Sequence, residues 1–312
     1  MGCHLCTASC CHRASQQRKC GQTNLESIMK LLKFGAKGSA VSELQQLLIK
    51  NGMKGKNNKP LSIDGHFGES TEYAVIQFQK KMDIKVDGIV GNTTLNALKG
   101  LDLSKHLKDA DLTIGAKRLD VPEIVIRAIA EVETQGEGYL PDGRPKILFE
   151  RHRMYFYLSQ KRGKAFADKM MSQYPNVINT QTGGYHGNAA EYTRLALAKQ
   201  IDEDSALMSA SWGRFQLMGE NWKDLGYSSV QEFVEQHYQS ESLQFEAFLR
   251  FCEFKSGTVA GKKWTLLEAL RQENWDAVFS LYNGRNYKKL GYDSKFLRVM
   301  NRLDPNYQRK TA

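Results

Sequence analysis

The 312-residue sequence predicts a mainly α protein, a small three-helix domain followed by a larger α-helical one. Three observations carry this. Apolar residues recur at helical spacing early in the chain (Val41, Leu44, Leu47, Leu48). A turn motif, Ile63-Asp64-Gly65-His66-Phe67-Gly68-Glu69-Ser70-Thr71, returns 23 residues later, Asp64 to Asp87, as Val86-Asp87-Gly88-Ile89-Val90-Gly91-Asn92-Thr93-Thr94. From Pro122 to about residue 305, amphipathic runs alternate with Gly-rich loops, and no stretch shows persuasive strand alternation.

Each copy of the repeat reads as a short apolar strand end, an Asp-Gly turn, a second Gly, and a Ser/Thr able to cap the next helix. Helices are therefore expected near Thr71 and Thr94, preceded by the one around Leu44, so that residues 33–100 form the first domain. Residues 101–120 read as a linker plus a short helix, with the linker taken as 101–117 ahead of a second domain at 118–305. Pro122 sits at the first turn of a helix, where its missing N–H costs nothing.

Composition narrows the function. Lys and Arg number 44 against 34 Asp and Glu, a net charge of +10, which points to a polyanion such as nucleic acid, an anionic membrane or a charged wall. The basic residues are scattered, so nucleic acid is not expected. No apolar run reaches the roughly 18–20 residues of a membrane span, and the N-terminus lacks the apolar stretch of a secretory signal. Five of the six cysteines lie in the first 20 residues; the globular part, with Cys252 alone, reads as made in a reducing compartment. Cys3, Cys6, Cys10, Cys11, His12 and Cys20 can in principle close a zinc tetrahedron, and Met1-Gly2-Cys3 hints at acylation, but neither pattern matches a strong signature. Residues 1–28 are read as a Cys-rich, disordered extension or as sequence ahead of a start at Met29, and no metal is assigned. Ser/His/Asp order, an HExxH helix and a phosphate-binding Gly loop are all missing, which removes support for peptidase, zinc amidase and nucleotide readings.

Two acids on the Pro122 helix differ in setting. Glu131 and Glu133 are about 200° apart around the axis. Glu131 has Arg127 four residues before it, a surface partner. Glu133 follows Ile126, Ile129 and Ala130, an apolar strip that would raise its pKa as a general acid requires.

Resemblances sharpen the picture. Ser39-Ala40-Val41, Leu44-Gln45, the two Asp-Gly turns and Ala74-Val75-x2-Phe78-Gln79 resemble the peptidoglycan-binding repeat domain of wall hydrolases. Their turns build the fold and do not identify the wall-binding residues. Ala128-Ile129-Ala130-x-Val132-Glu133-Thr134 resembles the catalytic-glutamate helix end of lysozyme-like folds and soluble lytic transglycosylases. Ser211-Trp212-Gly213-Arg214-Phe215-Gln216-Leu217-Met218 and Tyr282-Asn283-Gly284 resemble their second and third elements. More specifically, Gly138-Tyr139, Asp142-Gly143-Arg144-Pro145-Lys146-Ile147-Leu148-Phe149-Glu150-Arg151-His152, Gly183-Gly184-Tyr185, Met218-Gly219-x-Asn221-Trp222 and Gly291-Tyr292-Asp293-x-Lys295 are similar to the N-acetylmuramidase family of phage endolysins. The sequence departs from that pattern at Thr134 and Arg285.

The resemblance implies a lysozyme-like catalytic domain that cleaves the β-1,4 bond from N-acetylmuramic acid to N-acetylglucosamine, with Glu133 as general acid. Glu150 is the first candidate for a second carboxylate, against a purely anchoring role beside Arg151 and Arg153; Glu137 and Asp142 rank below it. Gln216 and Asn283 can hold N-acetyl and hydroxyl groups, Ser211 lies beside them in the motif, and Tyr185, Tyr282 and Trp212 can stack on sugar or belong to the core. His152 reads as a structural imidazole. Carboxyl chemistry needs no cofactor. The expected partner is peptidoglycan, with electrostatic contact to an anionic envelope, for a monomer held in the host cytoplasm until a separate pore releases it to the wall. The alternatives are a lytic transglycosylase and a non-catalytic wall-binding or cationic membrane-disrupting protein.

Overall fold

The computed structural model describes residues 31–100, 103–134, 138–284 and 287–307. The Cys-rich segment 1–28, with its metal and acylation readings, lies outside them. The chain divides into two units, Met1–Leu103 and Ser104–Ala312. Among the described residues no helix is long and apolar enough to cross a membrane.

In the first unit, helices α1 (Ser39–Lys50), α2 (Glu69–Lys81) and α3 (Asn92–Leu98) enclose a core of Val41, Leu44, Leu48, Phe67, Val75, Phe78 and Leu98. The two repeat turns are held in the same way, each by a glutamine. Gln45 Nε2 donates to Asp64 Oδ1 (2.7 Å) and Thr71 Oγ1 (3.1 Å), and its Oε1 accepts Gly65 N–H (3.0 Å). Gln79 Nε2 donates to Asp87 Oδ1 (2.9 Å) and Thr94 Oγ1 (3.2 Å), and its Oε1 accepts Gly88 N–H (2.9 Å). Gly65 and Gly88 have φ of 66° and 69°, the left-handed region that the turn needs. Thr71 and Thr94 do not cap the helices as expected. α2 and α3 begin two residues earlier, with Gly68 and Gly91 at the caps, which places both threonines inside the first turn, buried against the glutamines. Substituting Gln79 by Ala strands buried polar atoms of the second turn. The expected cost is about 1–3 kcal/mol, read as faster amide hydrogen exchange at Gly88 and Ile89.

The second unit is built from α4 (Asp109–Leu119), α5 (Glu123–Thr134), α6 (Arg151–Arg162), α7 (Lys164–Gln173), α8 (Ala190–Ile201), α9 (Glu203–Met208), α10 (Val230–Gln239), α11 (Glu241–Phe254), α12 (Leu266–Arg271), α13 (Trp275–Tyr282) and α14 (Tyr292–Leu303). Among the described residues, five strands of two to four residues accompany them, too short to leave an alternation pattern in the sequence. β1 (Ile147–Phe149), β2 (Ala210–Trp212) and β3 (Leu217–Met218) form an antiparallel sheet; β4 (Ser256–Val259) and β5 (Lys262–Thr265) form a separate hairpin. Part of the stretch read as linker and short helix packs into this unit: Leu107, Leu112 and Ala116 are buried in its core. Every third or fourth residue of 109–119 is apolar or small, and that stripe packs on α5 and α11.

Candidate active site

One face of the small sheet packs into the core and the other is half-buried. Side chains alternate across a strand, and here Pro145, Ile147 and Phe149 are buried while Arg144, Lys146, Leu148 and Glu150 are half-buried. Register places Ser211 opposite Leu148 and Met218 opposite Ser211, on the same face as Leu148. Glu150 stands where β1 ends and α6 begins, its N–H bonded to the Ser209 carbonyl (2.8 Å). Its carboxylate accepts the Tyr185 hydroxyl through both oxygens, at 2.9 and 3.0 Å. His152 Nδ1 lies 3.2 Å from Oε2. Tyr185 thus meets a carboxylate rather than only offering a ring face; burial, then the bond to Glu150, pushes its phenol up to about 12. The residue remains 46% exposed.

The β2–β3 hairpin brings the second motif together. Ser211 Oγ donates to Gln216 Oε1 (2.8 Å), and Gln216 Nε2 donates to the Gly213 carbonyl (2.8 Å) and the Lys146 carbonyl (3.3 Å). The Gln216 amide therefore ties the turn to β1, from a left-handed backbone (φ 48°). Trp212 corrects the expectation of sugar contact. Its side chain is 1% exposed, because it points to the core face of β2, and its Nε1 donates to the Leu207 carbonyl (3.1 Å). Tyr282 braces the same hairpin, donating to the Phe215 carbonyl (2.8 Å) with its ring edge-on to Phe248 and Phe251. Asn283, half-buried, caps α13 directly after it.

Glu133 is the penultimate residue of α5; its side chain, like residue Glu137, lies outside the described residues. The chain leaving α5 is anchored at Gly138, whose N–H donates to Glu241 Oε1 (2.6 Å). Glu241 Oε2 takes Leu107 N–H (2.8 Å) and Arg214 Nη1 (2.8 Å), so one carboxylate links the α5 exit, the start of this unit and the hairpin. A Cβ on Gly138 would stand 2.3 Å from Gln244 Oε1, and one on Gly213 2.5 Å from Gln244 Cδ, so a larger residue at either position would have to displace the buried Gln244 side chain. Glu131 pairs with Arg302 (2.6 Å), not with Arg127 as expected. Arg127 instead takes Asp109 (2.6 Å) and Glu123 (2.6 Å), because α4 brings a second acid to it. Asp142 is occupied by Arg144 on the surface (2.6 Å), and that bond lowers its pKa.

Two buried acids were not legible as part of this site. Burial alone would push Glu241 up, but Arg214 and the backbone donors hold it below the usual carboxylate range. Glu191 behaves likewise: burial opposes ionisation, and the N–H groups of Gly187, His186 and Phe149, with Arg194, outweigh it. The Glu191/Arg194 spacing of three residues in an otherwise small and apolar helix face is the one trace in the sequence. A buried neutral histidine adds a pH test. His237 is fully buried, donates from Nδ1 to the Phe233 carbonyl (2.7 Å), and is pushed down to about 4 by burial. Its folded value is depressed, so its contribution is complete above the unfolded value near 6.5 and is lost as pH falls toward 4. At about 1.4 kcal/mol per unit, roughly 3 kcal/mol disappears in that window. Urea melts from pH 7 to 4 should show this slope, flattened in a His237→Gln variant.

Fold and site together define a modular, lysozyme-like glycoside hydrolase. Residues 122–304 match the family model described as "N-acetylmuramidase", and the chain belongs to that family. Residues 37–98 match the model described as "Putative peptidoglycan binding domain". The crystal structure of the Burkholderia AP3 phage endolysin is similar over 88% of this chain and 100% of that one, with 42% identity and a TM-score of 0.76. A curated relative, "Probable N-acetylmuramoyl-L-alanine amidase" from Bacillus licheniformis, is 33% identical over 116 residues; these are 36% of this chain, which spans 32% of that protein's length.

Proposed function

We propose that the protein is a phage endolysin that hydrolyses the β-1,4 bond between N-acetylmuramic acid and N-acetylglucosamine in bacterial peptidoglycan, with the first unit holding the enzyme on the wall. The observation that carries this reading is the likeness to the AP3 phage endolysin along its whole length. An alkoxide is a poor leaving group, so a protonated carboxylic acid must deliver its proton as the glycosidic bond breaks. Glu133, at the end of α5, is assigned that role. Glu150 is assigned the second, as the carboxylate facing the oxocarbenium-like centre or activating water, with the Tyr185 hydroxyl bonded to both its oxygens. Gln216, Ser211 and Asn283 line the substrate side in this reading, and Tyr185 offers the ring face.

Proton transfer between carboxyls and sugar needs no cofactor. The enzyme acts as a monomer, waits in the host cytoplasm, and reaches the periplasm and wall once a separate pore opens. Its +10 charge draws it to the anionic envelope rather than to nucleic acid, and lysis should slow as ionic strength rises. Digestion of purified sacculi tests the reaction. Hydrolysis liberates new reducing ends, whereas 1,6-anhydromuramic products without them would assign the protein to the lytic transglycosylases.

A further inference from the structure

The segment carrying Tyr185 is held at both ends by charged side chains of opposite sign. On one side Arg151, next to Glu150, donates from Nε to the Gln181 carbonyl (3.0 Å) and from Nη2 to the Thr182 carbonyl (3.0 Å). On the other, Glu191 Oε1 accepts His186 N–H (2.5 Å) and Gly187 N–H (2.8 Å), the two residues that follow Tyr185. Glu191 Oε2 accepts Phe149 N–H (3.2 Å), the residue that precedes Glu150, and Arg194 Nη1 (2.7 Å). Arg194 Nη1 also donates to the Phe149 carbonyl (2.9 Å), so both backbone polar groups of Phe149 are bonded by the pair. Glu191 is fully buried and touches no solvent.

We propose that Glu191 is a positioning residue for the glycosidase: by joining the backbone beside Glu150 to the backbone beside Tyr185, it fixes the two-oxygen hydrogen bond between them. This rests on the reading that Glu150 serves the reaction. The groups facing the Glu150 carboxylate are Tyr185 and His152, while Arg151 turns to the loop carbonyls. Glu191 itself lies one peptide away from each partner, and acts through them. Without its grip on His186 and Gly187, the loop has three glycines in the left-handed region, Gly183, Gly184 and Gly187, with which to move the hydroxyl away.

The test uses the full chain on solubilised glycan strands, with reducing ends as readout and kcat and KM recorded separately. Glu191→Gln keeps the volume but removes the charge and one acceptor oxygen. The expected result is a kcat lower by about 10- to 100-fold with KM within about twofold, as misplacement of a reacting group produces. Tyr185→Phe lowers kcat in the same way, because it removes the hydroxyl that Glu191 holds against Glu150, and adding Glu191→Gln to it lowers kcat no further. An unchanged kcat in folded Glu191→Gln overturns the proposal, as does a kcat loss that multiplies fully with that of Tyr185→Phe. If Glu191→Gln fails to fold, Arg194→Lys keeps a cation beside Glu191 while loosening Phe149; the same directions are expected, and an unaltered folded variant overturns the proposal. Glu150→Gln separates the two layers. Full activity in that variant removes the reading of Glu150 and the inference with it, whereas an inactive Glu150→Gln beside an unmoved Glu191→Gln removes the inference alone.

Discussion

Glu133→Gln should lower glycan cleavage by about 10²- to 10⁴-fold, the usual contribution of a positioned general acid. Glutamine has the size and polarity of the acid but no transferable proton, so the step that fails is leaving-group protonation. The fold should survive the change. α5 is held by Val125, Ile126 and Ile129 in the core, and its exit is held at Gly138 by Glu241, none of which involves residue 133. Turbidity loss of outer-membrane-stripped cells and reducing-end release from sacculi should therefore fall together, at an unchanged melting temperature and unchanged binding to sacculi. Undiminished lysis by a folded Glu133→Gln protein would remove the catalytic assignment. It would leave disruption of the envelope by a chain of charge +10 as the better account.

The sequence displays periodic and turn-coded features well, and long-range pairing poorly. The Asp64-Gly65 and Asp87-Gly88 turns were readable because glycine and aspartate at fixed offsets encode a local backbone shape. Their common lock, a glutamine from the preceding helix, was visible only as a motif letter, since the bond closes across 19 residues in one copy and 8 in the other. The β1–β2–β3 sheet was missed because its strands are shorter than one alternation needs. Burial also cannot be read at a single aromatic: Trp212 and Tyr185 have the same plausibility as sugar platforms in sequence, yet strand parity sends the first into the core and loop placement leaves the second at Glu150. Glu191 and Glu241 were invisible for a further reason. An acid is normally solvated, and only the convergence of three peptide segments on each one makes an interior carboxylate tolerable.

That convergence makes Glu241→Ala the largest expected effect on stability. Glu241 and Arg214 are both buried, and deleting one member of a buried pair costs about 3–5 kcal/mol because the remaining charge loses its partner in a dry site. The Gly138 and Leu107 amides lose their acceptor in the same stroke. At about 2–4 °C per kcal/mol for a unit of this size, the melting temperature should fall by roughly 6–20 °C. Tryptophan fluorescence is the suitable probe, because Trp212, Trp222, Trp264 and Trp275 all lie in the second unit. The same carboxylate gives the pH sign. Its folded pKa lies below the ordinary value near 4.5, so its contribution is present above that value and is lost as pH falls through the folded one. Wild-type and Glu241→Ala melting temperatures should therefore converge in acid. A companion Glu241→Leu/Arg214→Met variant separates charge from hydrogen bonding. Replacing both charges by apolar groups should recover the part of the loss due to the stranded guanidinium, but not the part due to the two unbonded amides of Gly138 and Leu107. Full recovery would mean that Glu241 serves Arg214 alone. A shift below 2 °C in Glu241→Ala would mean that water reaches the site and that the interior clamp is not what holds the end of α5.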